Sequence, residues 1–163
     1  HDSCWRFLPP IKHDRVGFTL HPIDLSINKL LALVGRDEVR DYIDIHDIIE
    51  NTLPLGALCW AAAGKDPGFT PLTLIDLLRR RGKVRPEDLK RIALNRQPDL
   101  SELKSRWLVA LERAEEFVRK RPADEVGCLY FDKDSRIFIE PKSGDTVAPH
   151  FGRPGGLLPS VGD

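Results

Sequence analysis

Methionine is missing from this chain altogether and the first residue is His, so the start reads as something other than a native initiator. Net charge is missing too. The 25 Lys and Arg offset 25 Asp and Glu, although charged residues make up 31% of the sequence. A balanced chain has no global attraction to nucleic acid or anionic lipid, so any such binding needs a local patch. Long apolar runs are absent: charge, Gly or Pro breaks each one well short of the ~18 residues of a membrane helix. No basic leader with an apolar core and a cleavage pattern opens the chain. Cysteine is scarce. Cys4, Cys59 and Cys128 are odd in number, far apart and outside any Cys-x-x-Cys pair. That excludes a disulfide framework and a zinc knuckle, and leaves reduced, buried thiols in a cytoplasmic protein. What remains possible is one domain of 163 residues, or a large fragment of one, able to bury a core.

Periodicity divides the chain into four stretches. In residues 1–22 two short extended runs, Cys4 to Leu8 and Val16 to Leu20, are punctuated by Pro9, Pro10 and Pro22. Residues 23–122 read as helical. Ile23, Ile27, Leu30, Leu31 and Val34 form one stripe, with Asp24 suited to the positive end and Gly35 as the stop. Val39, Tyr42, Ile43, His46 and Ile49 form the next, over about residues 37–50, and the short link makes the two helices antiparallel neighbours. Leu55 to Ala63 has no polar face and predicts a buried helix closed by Gly64. Thr70-Pro71 is an N-cap with Pro at the first helical position, leading to Arg81 and a stop at Gly82. Arg85 to Asp88 opens a short helix, and Asp99 with Glu102 opens a long one to about Arg121. Residues 123–141 change to strand period: Cys128–Phe131 and Arg136–Ile139 flank a four-residue turn, a β-hairpin. Residues 142–163 are Gly/Pro-rich without periodicity and predict a mobile tail. The fold class expected is mainly α, a multi-helix bundle with a short N-terminal strand and a C-terminal β-hairpin.

The stretch that carries chemical information runs from His21 to Arg36 and on through Val39-Arg40-Asp41-Tyr42-Ile43-Asp44-Ile45. Arg40 and Asp44 are four apart and Asp41 and Asp44 three apart, so they share one side of the second helix. An antiparallel first helix brings Lys29 within reach of Asp41 or Asp44. On spacing alone such a pair is a surface salt bridge, contributing ~0–1 kcal/mol. Asp41, Asp44 and Asp47 drift around the helix and read as a solvated acidic face, not a metal site.

The order of these motifs resembles the AbiEii/AbiGii toxin family of nucleotidyltransferases, in which an Asn-Lys-Leu-Leu-Ala-Leu helix precedes Arg-Asp-x-x-Asp. The opening Asp2 to Pro9 is similar to the family's segment after its last catalytic strand. The resemblance covers residues 1–50. It implies that Lys29, with Arg40, contacts the phosphates of an incoming NTP. It implies that Asp44, with Asp41, completes the pocket as base or by orienting Lys29. It also implies Mg²⁺ held by a Gly-Ser loop and paired Asp residues, since concentrated phosphate charge needs a cation. No such loop and Asp-x-Asp precede residue 23. The chain is therefore expected to be the C-terminal helical part of a bacterial, toxin–antitoxin-type enzyme, inactive without its N-terminal nucleotidyltransferase domain. Partners implied are that domain, an RNA (tRNA) or protein acceptor, and an antitoxin protein; no membrane is expected. The alternative is a non-catalytic helical module that binds protein or RNA.

Arg79, Arg80, Arg81, Lys83 and Arg85 are the densest basic cluster and the candidate nucleic-acid contacts. Cations also collect at helix C-termini for the dipole alone. His46 and Trp5, Trp60 and Trp107 fall on apolar positions and read as core. Neither a Walker loop, a nucleophile elbow nor a catalytic triad is present.

Overall fold

The computed structural model describes residues 5–92 and 96–154. Cys4, at the start of the expected first extended run, and the last nine residues of the expected tail lie outside the described residues. Among the described residues six α-helices and seven short strands follow one another: β1 (Trp5–Arg6), β2 (Ile11–His13), β3 (Gly17–Thr19), α1 (Pro22–Arg36), α2 (Val39–Asn51) and α3 (Leu55–Lys65). Then come α4 (Pro71–Arg79), α5 (Pro86–Lys90), α6 (Leu100–Lys120), β4 (Cys128–Asp132), β5 (Ile137–Ile139), β6 (Val147–Phe151) and β7 (Arg153–Pro154). The mainly α expectation holds, with strands at the C-terminal end.

Helix α3 is the hub. Nine of its eleven residues, Leu55 to Ala63, are buried, as its lack of a polar face requires. It touches α1, α4, α6 and β4. Leu58, Cys59, Ala61 and Ala62 are fully enclosed, and burial pushes the Cys59 thiol pKa upward. The alanines let neighbouring helices approach. At its end Gly64 lies so close to Gly127 that a Cβ on Gly64 would stand 2.4 Å from the Gly127 carbonyl oxygen. This contact seats the start of β4 against the helix.

Around the hub the helices begin and end by local chemistry. His21 accepts the Ile23 N–H at 3.1 Å through Nδ1, with Pro22 at the first helical position of α1. The stop is not Gly35. The helix runs through it, and Asp37 takes the left-handed conformation at φ 50°, letting its N–H reach the Leu33 carbonyl. The Thr70 hydroxyl caps α4 and the Asp99 carboxylate caps α6, accepting from Ser101 and Glu102 N–H groups. Glu102 does not complete a capping box; it pairs with Arg106. Gly82, expected as the stop of α4, sits beyond it at φ +79° with its α-carbon against the Tyr42 ring. There a side chain would collide.

The strands depart most from expectation. The predicted hairpin is present as β4–β5, but β4 is the centre of a three-stranded antiparallel sheet, β5-β4-β6. The stretch 142–163, expected as a mobile tail, supplies β6 and β7 in its described part. Pro149 and Gly152 obscure that strand in sequence, yet Pro is tolerated on an edge strand such as β6. β7 then pairs antiparallel with β1, Trp5 opposite Pro154, and a His150 ring nitrogen meets the Phe7 carbonyl oxygen at 2.6 Å. The opening strand thus has a partner in its own chain. β3 falls on the extended run read from Val16 to Leu20, and it pairs as a small hairpin with β2, which lies between the two runs. Among the described residues, no helix is long and apolar enough to cross a membrane.

The His46 ring packs edge-on to Tyr42 at 4.7 Å and beside Trp107 at 5.6 Å. Burial, aided by the Arg106 charge, pushes its pKa down to about 4. The folded value lies below the ordinary ~6.5, so the unfolded chain takes up the proton first as pH falls. Stability from this group is complete above about pH 6.5 and declines towards about pH 4, by roughly 2–3 kcal/mol after allowing for partial exposure. His46→Phe keeps a ring and removes the titration. Urea unfolding at about pH 7 and about pH 4.5 should show a smaller loss in the variant than in the wild type; equal losses would refute the assignment.

Candidate functional site

The left-handed turn at Asp37 folds α2 back so that its first turn faces the C-terminal half of α1. Lys29 Nζ lies 2.9 Å from Asp44 Oδ2 and 3.8 Å from Asp41 Oδ1. The expected pairing across the two helices is therefore made. Exposure separates the three: the Lys29 side chain is 40% exposed, Asp44 34% and Asp41 1%. Asp41 is gripped elsewhere as well. Arg36 donates to it through Nε at 2.7 Å and Nη2 at 3.0 Å, a bidentate pair that holds the carboxylate plane. The same contact raises the Arg36 pKa. Arg36 received no role from the sequence. The signal available was an Arg just before a tight turn with an Asp in the first turn of the next helix.

This geometry divides the labour. Asp41, enclosed and doubly bonded, is a positioning group for the turn. Lys29, 40% exposed, is held by a partly exposed carboxylate in a class of contact that contributes only ~0–1 kcal/mol. It can exchange Asp44 for a phosphate oxygen at little cost. Arg40, by contrast, is exposed and forms no ion pair within 4.0 Å among the described residues. The structure does not bring it into the cluster.

Beside the cluster, β1 is fastened to α1. Asp24, 1% exposed, accepts the Phe7 N–H at 2.8 Å and the Leu8 N–H at 3.0 Å, one on each oxygen. Lys65 at the end of α3 donates to Asn28 Oδ1 and approaches the Trp5 carbonyl oxygen at 3.5 Å. From sequence Asp24 had only a helix-dipole role. Its long-range partners follow from backbone donors that no side-chain pattern announces.

The basic cluster is dispersed into separate tasks. Arg81, 21% side-chain exposed, donates to the Leu33 carbonyl at 3.0 Å and to the Val34 carbonyl, capping the C-terminus of α1. Arg79 pairs with Glu115 of α6 at 3.0 Å. Arg85 pairs with Asp88, whose carboxylate accepts the Arg85 N–H at 2.9 Å to start α5. Arg80 and Lys83 are exposed and make no ion pair among the described residues. Of five candidate nucleic-acid contacts, these two alone have their charge uncommitted.

Among the described residues, no group of three or more His, Cys, Asp and Glu is gathered as for a metal ion. A groove of about 920 Å³ lies elsewhere, between α2, α3 and α6, and includes none of Lys29, Asp41 and Asp44. In comparisons with protein-family models, curated proteins and solved structures, nothing matches this chain.

Asp24→Ala would leave one buried and one part-buried N–H donor without partners, a loss of about 1–3 kcal/mol. Urea denaturation should place it well below Lys29→Ala, which removes only a half-exposed ion pair. A reversed ranking would show that β1 is not fastened through Asp24.

Proposed function

We propose that the chain is the helical C-terminal part of an AbiEii-like nucleotidyltransferase, in which Lys29 binds the phosphates of an incoming NTP and Asp44 holds it ready. The observation that carries this reading is the 2.9 Å Lys29–Asp44 contact on an accessible edge, with Arg36–Asp41 fixing the turn beneath it. Nucleotidyl transfer depends mainly on positioning and charge neutralisation. Lys29 would neutralise phosphate charge, Asp44 would fix its direction when the nucleotide is absent, and Asp41 would hold both helices in register. Mg²⁺ would supply further charge neutralisation at the phosphates, from ligands other than the residues described here. Arg80 and Lys83 are the remaining support for an RNA acceptor such as tRNA. A cytoplasmic setting and an antitoxin partner belong to the same reading.

Titration with ATP, GTP, CTP and UTP plus Mg²⁺, followed by backbone amide NMR, tests it. The expected result is a weak response centred on Lys29 and Asp44 that Lys29→Ala abolishes and Lys12→Ala leaves intact. No response to any nucleotide, or one indifferent to Lys29, would overturn the phosphate role.

A second reading, a non-catalytic helical binding module, is favoured by a separate observation: the groove between α2, α3 and α6 stands apart from Lys29.

A further inference from the structure

Two grooves meet along α6. The first, about 920 Å³, is bounded by α2, the start of α3 and α6; the second, about 510 Å³, continues past the end of β5. Arg113, Glu140 and Lys142 line both. At their junction the Glu140 carboxylate accepts the Ala57 N–H at 3.1 Å, so its charge is engaged by the first turn of α3. Arg113, Arg121 and Lys142 all bear electrostatically on that carboxylate. None of the three forms an ion pair within 4.0 Å among the described residues. Arg121 is stacked 5.3 Å from the ring centroids of both Phe117 and Tyr130, with its Nε enclosed and lacking a hydrogen-bond partner. Three cations around one engaged carboxylate leave the junction positive in a chain whose net charge is zero.

The adjoining wall carries an aliphatic strip beside Glu50, Ser105 and Arg106. Ile49, Leu55 and Ala110 line the first groove with Val109, a large apolar residue left 46% exposed. Binding of single-stranded nucleic acid relies on aromatic faces for base stacking. Among the described residues, the aromatic rings lining the two grooves are His46, packed against Tyr42 and Trp107, and Phe117, packed against Tyr130 and covered by Arg121. Positive charge beside an aliphatic strip complements carboxylates interspersed with aliphatic side chains.

We propose that this junction docks a protein partner through an acidic segment carrying aliphatic side chains, its carboxylates on Arg113 and Lys142 and its apolar residues against Val109 and Ile49. The surface shares no residue with the Lys29 cluster, so its test and the nucleotide titration fail independently. Arg121 is held by its ring contacts and is left unchanged in the test.

The probe is a fluorescein-labelled peptide of alternating Glu and Leu, titrated with the full chain and read by fluorescence anisotropy, beside an oligouridylate of equal charge. Saturable peptide binding is expected, weakened about tenfold or more by Arg113→Glu and by Lys142→Glu, and weakened by salt. Lys12→Glu, on the exposed β2–β3 hairpin, should bind as the wild type does. Far-ultraviolet circular dichroism shows whether each variant is folded, and Val109→Ser provides an uncharged second probe of the same wall. Absence of peptide binding, or equal loss in the Lys12 variant, overturns the proposal. Binding of the oligouridylate alone overturns it in favour of nucleic acid.

Discussion

The architecture depends on one helix that has no polar side. An amphipathic helix needs a single partner surface, whereas α3 must be covered all round, and α1, α4, α6 and β4 each supply part of the cover. Small residues make this possible. Ala61, Ala62 and Ala63 admit neighbours closely, and Gly64 meets Gly127 with no side chain between the backbones. Full burial of a Leu such as Leu58 contributes roughly 1.5–3 kcal/mol, so the enclosed residues of this helix set the scale of the whole fold's stability. The rest of the chain is arranged so that this surface is shut away from water.

The candidate site is a consequence of how α1 leaves that core. Asp37 in the left-handed region reverses the chain within two residues of the helix end, which puts the first turn of α2 opposite Lys29. Arg36 and Arg81 then secure the reversal from two directions, one holding Asp41 and the other holding the last carbonyls of α1. Lys29 makes one close contact to a partly exposed carboxylate, whereas Arg36 grips the enclosed Asp41 at two points. A side chain available for a ligand must be lightly held, while the groups that place it must not be.

Helix positions were legible because apolar spacing, caps and proline at first helical positions act within a few residues of one another. The Lys29–Asp44 approach was legible for a related reason: a short connection restricts how two amphipathic helices can meet. Arg36–Asp41, Arg81 on the α1 carbonyls and Asp24 on the Phe7 and Leu8 amides were not. Each joins a side chain to something whose position depends on the packed fold. The basic run from Arg79 to Arg85 looked like one patch because its residues are consecutive. Folding sends them to α6, to the end of α1 and to the start of α5, since adjacent residues on helices and turns point in different directions.

The sequence by itself determined which segments are helical, which helix is enclosed, and that α1 and α2 pack as neighbours, because these rest on local periodicity and on the absence of polar residues. Tertiary structure alone decided that the last strands complete the sheet and reach β1, for strand pairing is made by backbone groups far apart in the chain. It also decided which of many charged side chains are left exposed and which are engaged. Charge is written in the sequence, but whether a charge is committed depends on what the fold places within a few ångströms of it.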